Sequence, residues 1–139
     1  MVRPSCHGCA VERSGQSYVG GELAVVIDCA CLDRAAGFWC SMLGYVRAGD
    51  ASEDSRYQSL IPRDGAGIEV LLQRVADTKA AKNRLHLDLR TADLEAEVQR
   101  ARAAGATLVT GVPIEEDDWR WHVLTDPDSN EFCVLQPPG

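Results

Sequence analysis

Arg84-Leu-His-Leu-Asp-Leu-Arg90 alternates without a break: Leu85, Leu87 and Leu89 fall on one face of an extended chain, and His86, Asp88 and Arg90 on the other. This is the pattern of a strand half-buried on a sheet. Downstream the spacing turns helical, with Leu94, Val98 and Ala101 on one stripe, Asp93 in the first turn and Gly105 just past the end. Thr107–Thr110, Trp119–Leu124 and Glu131–Gln136 then read as three strands, and Asp126-Pro-Asp-Ser-Asn130 as the turn before the last.

The same order stands upstream. Leu23-Ala-Val-Val-Ile27 is a short apolar run suited to a buried strand, and Leu32, Ala35, Ala36, Trp39, Met42 and Leu43 recur at helical spacing until Gly44. Tyr45–Ala48, Tyr57–Ile61 and Ile68–Gln73 supply three more strands, and the charged stretch Arg74–Asn83 reads as a linker. Setting Leu32 on Leu94 sets Ala24 on His86. The expected fold class is therefore α+β: two tandem βαβββ modules, about residues 22–74 and 83–137, forming a curled mixed sheet around a cleft with the helices outside. Residues 1–20 lack a sustained apolar period and are expected to be a flexible arm preceding a domain at 21–139.

The 139 residues carry 14 Lys+Arg against 21 Asp+Glu, a net charge of −7 that opposes nucleic-acid binding, which needs clustered cations. The run from Leu23 to Ile27 is far short of the about 20 residues that cross a bilayer, so no membrane partner is expected and the compartment is expected to be cytoplasmic. Six cysteines are too few for a disulfide scaffold and are expected to be reduced. Cys6-His-Gly-Cys9 has C-x-x-C spacing, but no second such pair completes a structural zinc site.

Strand parity collects an inward polar set: Asp28, Glu69 and Gln73 from the first half, and His86, Asp88, Arg90, Glu131 and Cys133 from the second. Burying so many ionisable groups unpaired is costly, so they either form a solvated ion-pair network or meet a ligand. Trp119, Trp121 and Val123 share a strand face; one Trp is expected in the core or a dimer contact, and Trp121 is a candidate cleft wall for a planar ligand, beside Asp88, Arg90 and Gln73.

Phe38-Trp-Cys-Ser-Met-Leu-Gly-Tyr45, His86-Leu-Asp-Leu89 and Asp126-Pro-Asp-Ser-Asn-Glu-Phe-Cys133, in this order, resemble the vicinal oxygen chelate (glyoxalase/bleomycin-resistance/extradiol dioxygenase) superfamily over about residues 22–137. The resemblance implies a divalent-metal site at four positions, one His-type and one carboxylate position per module. Here they fall on Ala24, which cannot ligate, Glu69, His86, and Cys133 in place of the usual Glu. Glu69, His86 and Cys133 form an incomplete set suited in kind to Zn²⁺ or Ni²⁺. The expectation is accordingly a small-molecule-binding protein with a degenerate metal site and no bound metal, sequestering a ligand as bleomycin-resistance proteins do. The alternative is a glyoxalase-type metal-dependent lyase or isomerase in which Glu131 or Glu69 moves a proton. A homodimer is the expected assembly.

Overall fold

The computed structural model describes residues 23–139; the arm at 1–20 and the Cys6/Cys9 pair lie outside the described residues. The elements run β1 (Ala24–Cys29), α1 (Leu32–Leu43), β2 (Tyr45–Arg47), β3 (Tyr57–Pro62), β4 (Glu69–Arg74), β5 (Asp88–Arg90), α2 (Leu94–Ala104), β6 (Thr107–Leu108), β7 (Ile114–Glu116), β8 (Trp119–Thr125) and β9 (Glu131–Gln136). One sheet has the order β1-β4-β3-β2 and the other β5-β9-β8-β6, with β7 paired to β8. In each, the strand before the helix pairs in parallel with the last strand of its module, and the other pairs are antiparallel. Two mixed sheets therefore stand where the alternation predicts two βαβββ modules.

Each helix covers one face of its sheet. Helix α1 buries Leu32, Ala35, Ala36, Phe38, Trp39 and Met42, and α2 buries Leu94, Val98 and Ala101, all within one apolar cluster shared by both modules. Phe38, Trp39 and Phe132 meet edge to face at its centre, with ring centroids 5.1–5.9 Å apart. Gly44 and Gly105 end the helices at φ 68° and 119°, conformations that a side chain would strain. Asp93 is the N-cap of α2, one residue earlier than the periodicity places it, and its carboxylate accepts from the Ala96 N–H at 3.0 Å. Cys31 caps α1 without a side-chain bond.

The turn Asp126–Asn130 ties the modules together. The buried Asp126 carboxylate accepts from Trp39 Nε1 (3.1 Å), Asn130 Nδ2 (3.0 Å) and the backbone N–H groups of Asp128 and Asn130 (both 2.9 Å). Asp128 accepts from Ala30 N at 2.8 Å and Arg34 at 3.0 Å, and Asn130 donates to the Asp28 carbonyl at 3.0 Å. Ser129 stands at φ 69°, in the left-handed region that favours glycine.

Two readings are corrected. The alternating stretch is a strand only from Asp88, opposite Cys133, and Leu85 is 89% exposed, so alternation alone does not bury its apolar face. The second module also gains the short strand β7, joined to β8 through Asp117 and Asp118 at φ 50° and 64°. That left-handed pair supplies the hairpin twist ordinarily given by Asn-Gly.

Candidate functional site

The face of the second sheet turned away from α2 forms a cavity of about 620 Å³. Its floor follows from register: Asp88 pairs with Cys133 and Cys133 with Val123, while Arg90 pairs with Leu135 and Leu135 with Trp121, which pairs with Ile114. Trp119, paired with Glu116, extends the floor by one row. His86 and Glu131 line the opposite end, so the cleft runs from a polar end to an aromatic end. Both Trp119 and Trp121 line it, in place of the one expected from sequence. Lys82, Asn83, Glu116 and Asp117 at its margin had no sequence signal beyond their polarity.

The first-module candidates lie elsewhere. Ala24 pairs with Glu69 and Asp28 with Gln73 on the first sheet, and none of the four lines the large cavity. The Glu69 carboxylate accepts from Ser59 Oγ at 2.6 Å, and the Gln73 carbonyl receives the Cys29 thiol at 3.6 Å. A second cavity of about 550 Å³, between the sheets, is lined by both Ala24 and His86.

Charge pairing organises the polar end. Lys79 Nζ stands 2.9 Å from Glu131 Oε2, and the Asn83 N–H donates to the same oxygen at 3.1 Å. These bonds, the one from Lys79 first, hold the Glu131 carboxyl down at about 2. Since the folded value lies below the ordinary carboxylate value, Glu131 contributes stability at pH above about 4.5 that is lost as the pH falls toward 2. Glu131→Gln should therefore flatten that part of an acid-unfolding curve, and an unchanged curve would show that the Lys79 bond does not hold in solution.

His86 Nε2 is 3.4 Å from Asp88 Oδ1, and His86, Asp88 and Cys133 bring ligand atoms within 4.8 Å of one another. Imidazole, carboxylate and thiol are acceptable zinc donors, so three protein ligands with one open position fit such an ion in kind and number. Asp88 stands in this group; Glu69 does not. Continuing the β5–β9 register two residues back sets His86 against Glu131, just as Ala24 sits against Glu69. Glu131 is thus the counterpart of Glu69, and Cys133 that of Leu71.

A glyoxalase-like domain family model matches residues 24–135. The chain belongs to the glyoxalase-like domain family. Among solved structures, this glyoxalase-like domain resembles a glyoxalase/bleomycin resistance protein/dioxygenase family enzyme from Burkholderia phytofirmans PsJN (20% identity, TM-score 0.64, covering 81% of this chain and 95% of that one). It also resembles a fosfomycin resistance protein from Mesorhizobium loti (15%, 0.64, 84% and 92%) and a glyoxalase family protein from Bacillus cereus (18%, 0.64, 91% and 99%). At these identities the likeness is one of fold, within the vicinal oxygen chelate superfamily. None of the curated proteins matches the sequence. No helix among the described residues is long and apolar enough to cross a membrane.

Burial pushes the Cys133 thiol of the glyoxalase-like domain up to about 11, with the Asp88 charge adding to it, and burial likewise raises Cys29 to about 11. At pH 8 these thiols should alkylate about a hundredfold more slowly than an ordinary exposed cysteine, because the thiolate is the nucleophile. Peptide mapping after brief iodoacetamide treatment should find Cys31, which is exposed, modified and Cys29 and Cys133 intact. Early loss of the Cys133 peptide would mean that the cleft floor opens.

Proposed function

We propose that the chain binds a small organic ligand in the cleft of its second sheet and holds it without turning it over. The observation that supports this reading is the division of the polar groups between the sheets. Ala24 offers no ligand beside Glu69, Glu69 is engaged by Ser59, and the large cleft is instead walled by two indoles with an arginine among them. Glu131, held at about 2, is also a poor general base at neutral pH, where an effective one sits near 7. A thermal-shift screen of a ligand library against purified protein tests the reading. A compound at 100 times its Kd should add about 2.7 kcal/mol to stability. A purified protein that carries one tightly held divalent ion and isomerises or cleaves a small oxygen-rich substrate would overturn it.

The convergence of His86, Asp88 and Cys133 favours a second reading, a metal-dependent lyase or isomerase. Zn²⁺ or Ni²⁺ held by these residues would supply Lewis acidity toward an oxygen of the substrate. The chain's own groups would then orient that substrate against Trp121, with Glu131 as the candidate proton carrier in the cleft in place of Glu69, which lies on the first sheet.

We also propose a cytoplasmic homodimer. Leu23 (60% exposed), Val26 (53%) and Leu85 border the cavity between the sheets, and among the described residues β1 is a sheet edge of the kind a second copy covers. Light scattering at micromolar concentration should return twice the 15.1 kDa chain mass, and a monomer would refute the dimer.

A further inference from the structure

Arg90 is the charged group that stands at the aromatic end of the cleft beside the indoles, away from Lys82 at the polar end. Lys79 engages Glu131 and His86 stands against Asp88, whereas the Arg90 guanidinium lies 5.4 Å from the centre of the Trp119 ring and has no carboxylate partner among the described residues. Cation–π attraction to an indole holds a guanidinium over the ring and leaves its N–H donors free for an anion. Trp119 and Trp121 stand two residues apart on one strand face, about 6.8 Å along the chain by strand geometry. That is close to twice the about 3.5–4.0 Å contact distance between carbon atoms, so the strand spacing leaves room for one flat ring between the two side chains. No ring contact joins the two tryptophans themselves, although Phe38, Trp39 and Phe132 all touch. Leu135 lies between Arg90 and Trp121 in the register and keeps the floor between charge and ring apolar.

Resting on the ligand-binding reading above, we infer that the Trp119/Trp121/Arg90 end is a subsite for a flat aromatic group bearing an anionic substituent, with a carboxylate as the simplest case. The ring packs on the indoles and the carboxylate takes the guanidinium edge. Glu116 on β7 and Asp117 in the turn after it also line the cavity, two strands further from β5 than β9 is; their charge favours a cation, so a preference for an anion rests on Arg90. The sign of charge preferred is therefore the decisive observable.

The test uses the full chain and three probes: 2-naphthoate, 2-naphthylmethylammonium and cyclohexanecarboxylate, followed by calorimetry and tryptophan fluorescence. Naphthoate should bind at least tenfold more tightly than either of the others and quench the emission. Trp121→Leu should weaken naphthoate at least tenfold. Arg90→Gln should abolish the preference for naphthoate over the ammonium compound while both still bind. Circular dichroism of both variants must match the parent; should Trp121→Leu fail to fold, Trp121→Phe, which keeps a ring face, should retain binding within about threefold and the Arg90→Gln arm decides. Preference for the ammonium probe, equal binding of the cyclohexane acid, or naphthoate binding indifferent to both substitutions would each overturn the subsite. Absence of binding by all three at millimolar concentration would overturn it too. Amide shifts at Val123 and Cys133 with fragments of other chemistry would then leave the cleft reading standing, and their absence as well would remove both.

Discussion

Asp126→Ala should lower the stability of this protein by about 3–5 kcal/mol, a fall in Tm on the order of 10–20 °C. The carboxylate is buried and receives four hydrogen bonds, from the Trp39 indole, the Asn130 amide and two backbone N–H groups. Alanine leaves all four donors without an acceptor and removes the polar link between α1 and the turn before β9. Asp126→Asn is the sharper comparison, because its NH₂ must face donors on one side; it should lose roughly half as much, about 2 kcal/mol. Burial also raises the Asp126 carboxyl above its ordinary range, against the lowering effect of its hydrogen bonds. A raised folded value means that this group favours the folded state most at low pH, and that the contribution declines as the pH rises from the unfolded value through the folded one. Its pH dependence runs opposite to that of Glu131, and the Asp126→Asn protein should show the acid loss from Glu131 without this offset. Chemical denaturation at pH 3 and pH 7 measures both; a drop below about 1 kcal/mol for Asp126→Ala would mean that water replaces the carboxylate in the turn.

Ala24→His should raise affinity for Zn²⁺ or Ni²⁺ by about two orders of magnitude. Structural zinc sites with four ligands release about 10–16 kcal/mol in all, so one added ligand is worth roughly 3 kcal/mol. Position 24 lies beside Glu69 in the β1–β4 pairing and borders the same cavity as His86, so an imidazole there joins a carboxylate and faces a second imidazole. Calorimetric titration of both proteins decides. Tight stoichiometric binding by the unmodified chain would show that His86, Asp88 and Cys133 suffice, and negligible binding by both would show that the first sheet does not present position 24 to His86.

Periodicity made most of the fold legible. Helix α1 ends at Gly44 where the apolar spacing stops, and β9 occupies the stretch read for it, because burial on one face writes itself into the residues one by one. The strongest alternation in the chain nonetheless yields a three-residue strand, since alternation reports which side a residue takes and not where ladder pairing begins. Strand β7 left no trace in Ile114-Glu-Glu116, whose acidic composition opposes a strand; pairing with β8 and the left-handed turn at Asp117 and Asp118 hold it. At the site, parity put His86, Asp88, Arg90, Glu131 and Cys133 on one face, and all five line the large cavity. The same parity added Glu69 and Gln73, because it reports which side of a strand a residue takes and not which of two sheets shares its space. Asp126 was legible as a turn residue only; its bond to Trp39 spans 87 positions, a distance no local pattern encodes.

The aromatic triad of Phe38, Trp39 and Phe132, together with the bonds of Asp126, Asp128 and Asn130, crosses from one half of the chain to the other. Arg100 of α2 adds two more such links, to the Ser41 and Met42 carbonyls of α1. A repeat built this way has no half that can fold alone: each βαβββ unit contributes rings and acceptors whose partners are encoded in the other. Melting should then be a single cooperative event, and two fragments divided within residues 75–78, ahead of Lys79, should each be unfolded until mixed and then complement one another, as circular dichroism of each fragment and of the mixture would show.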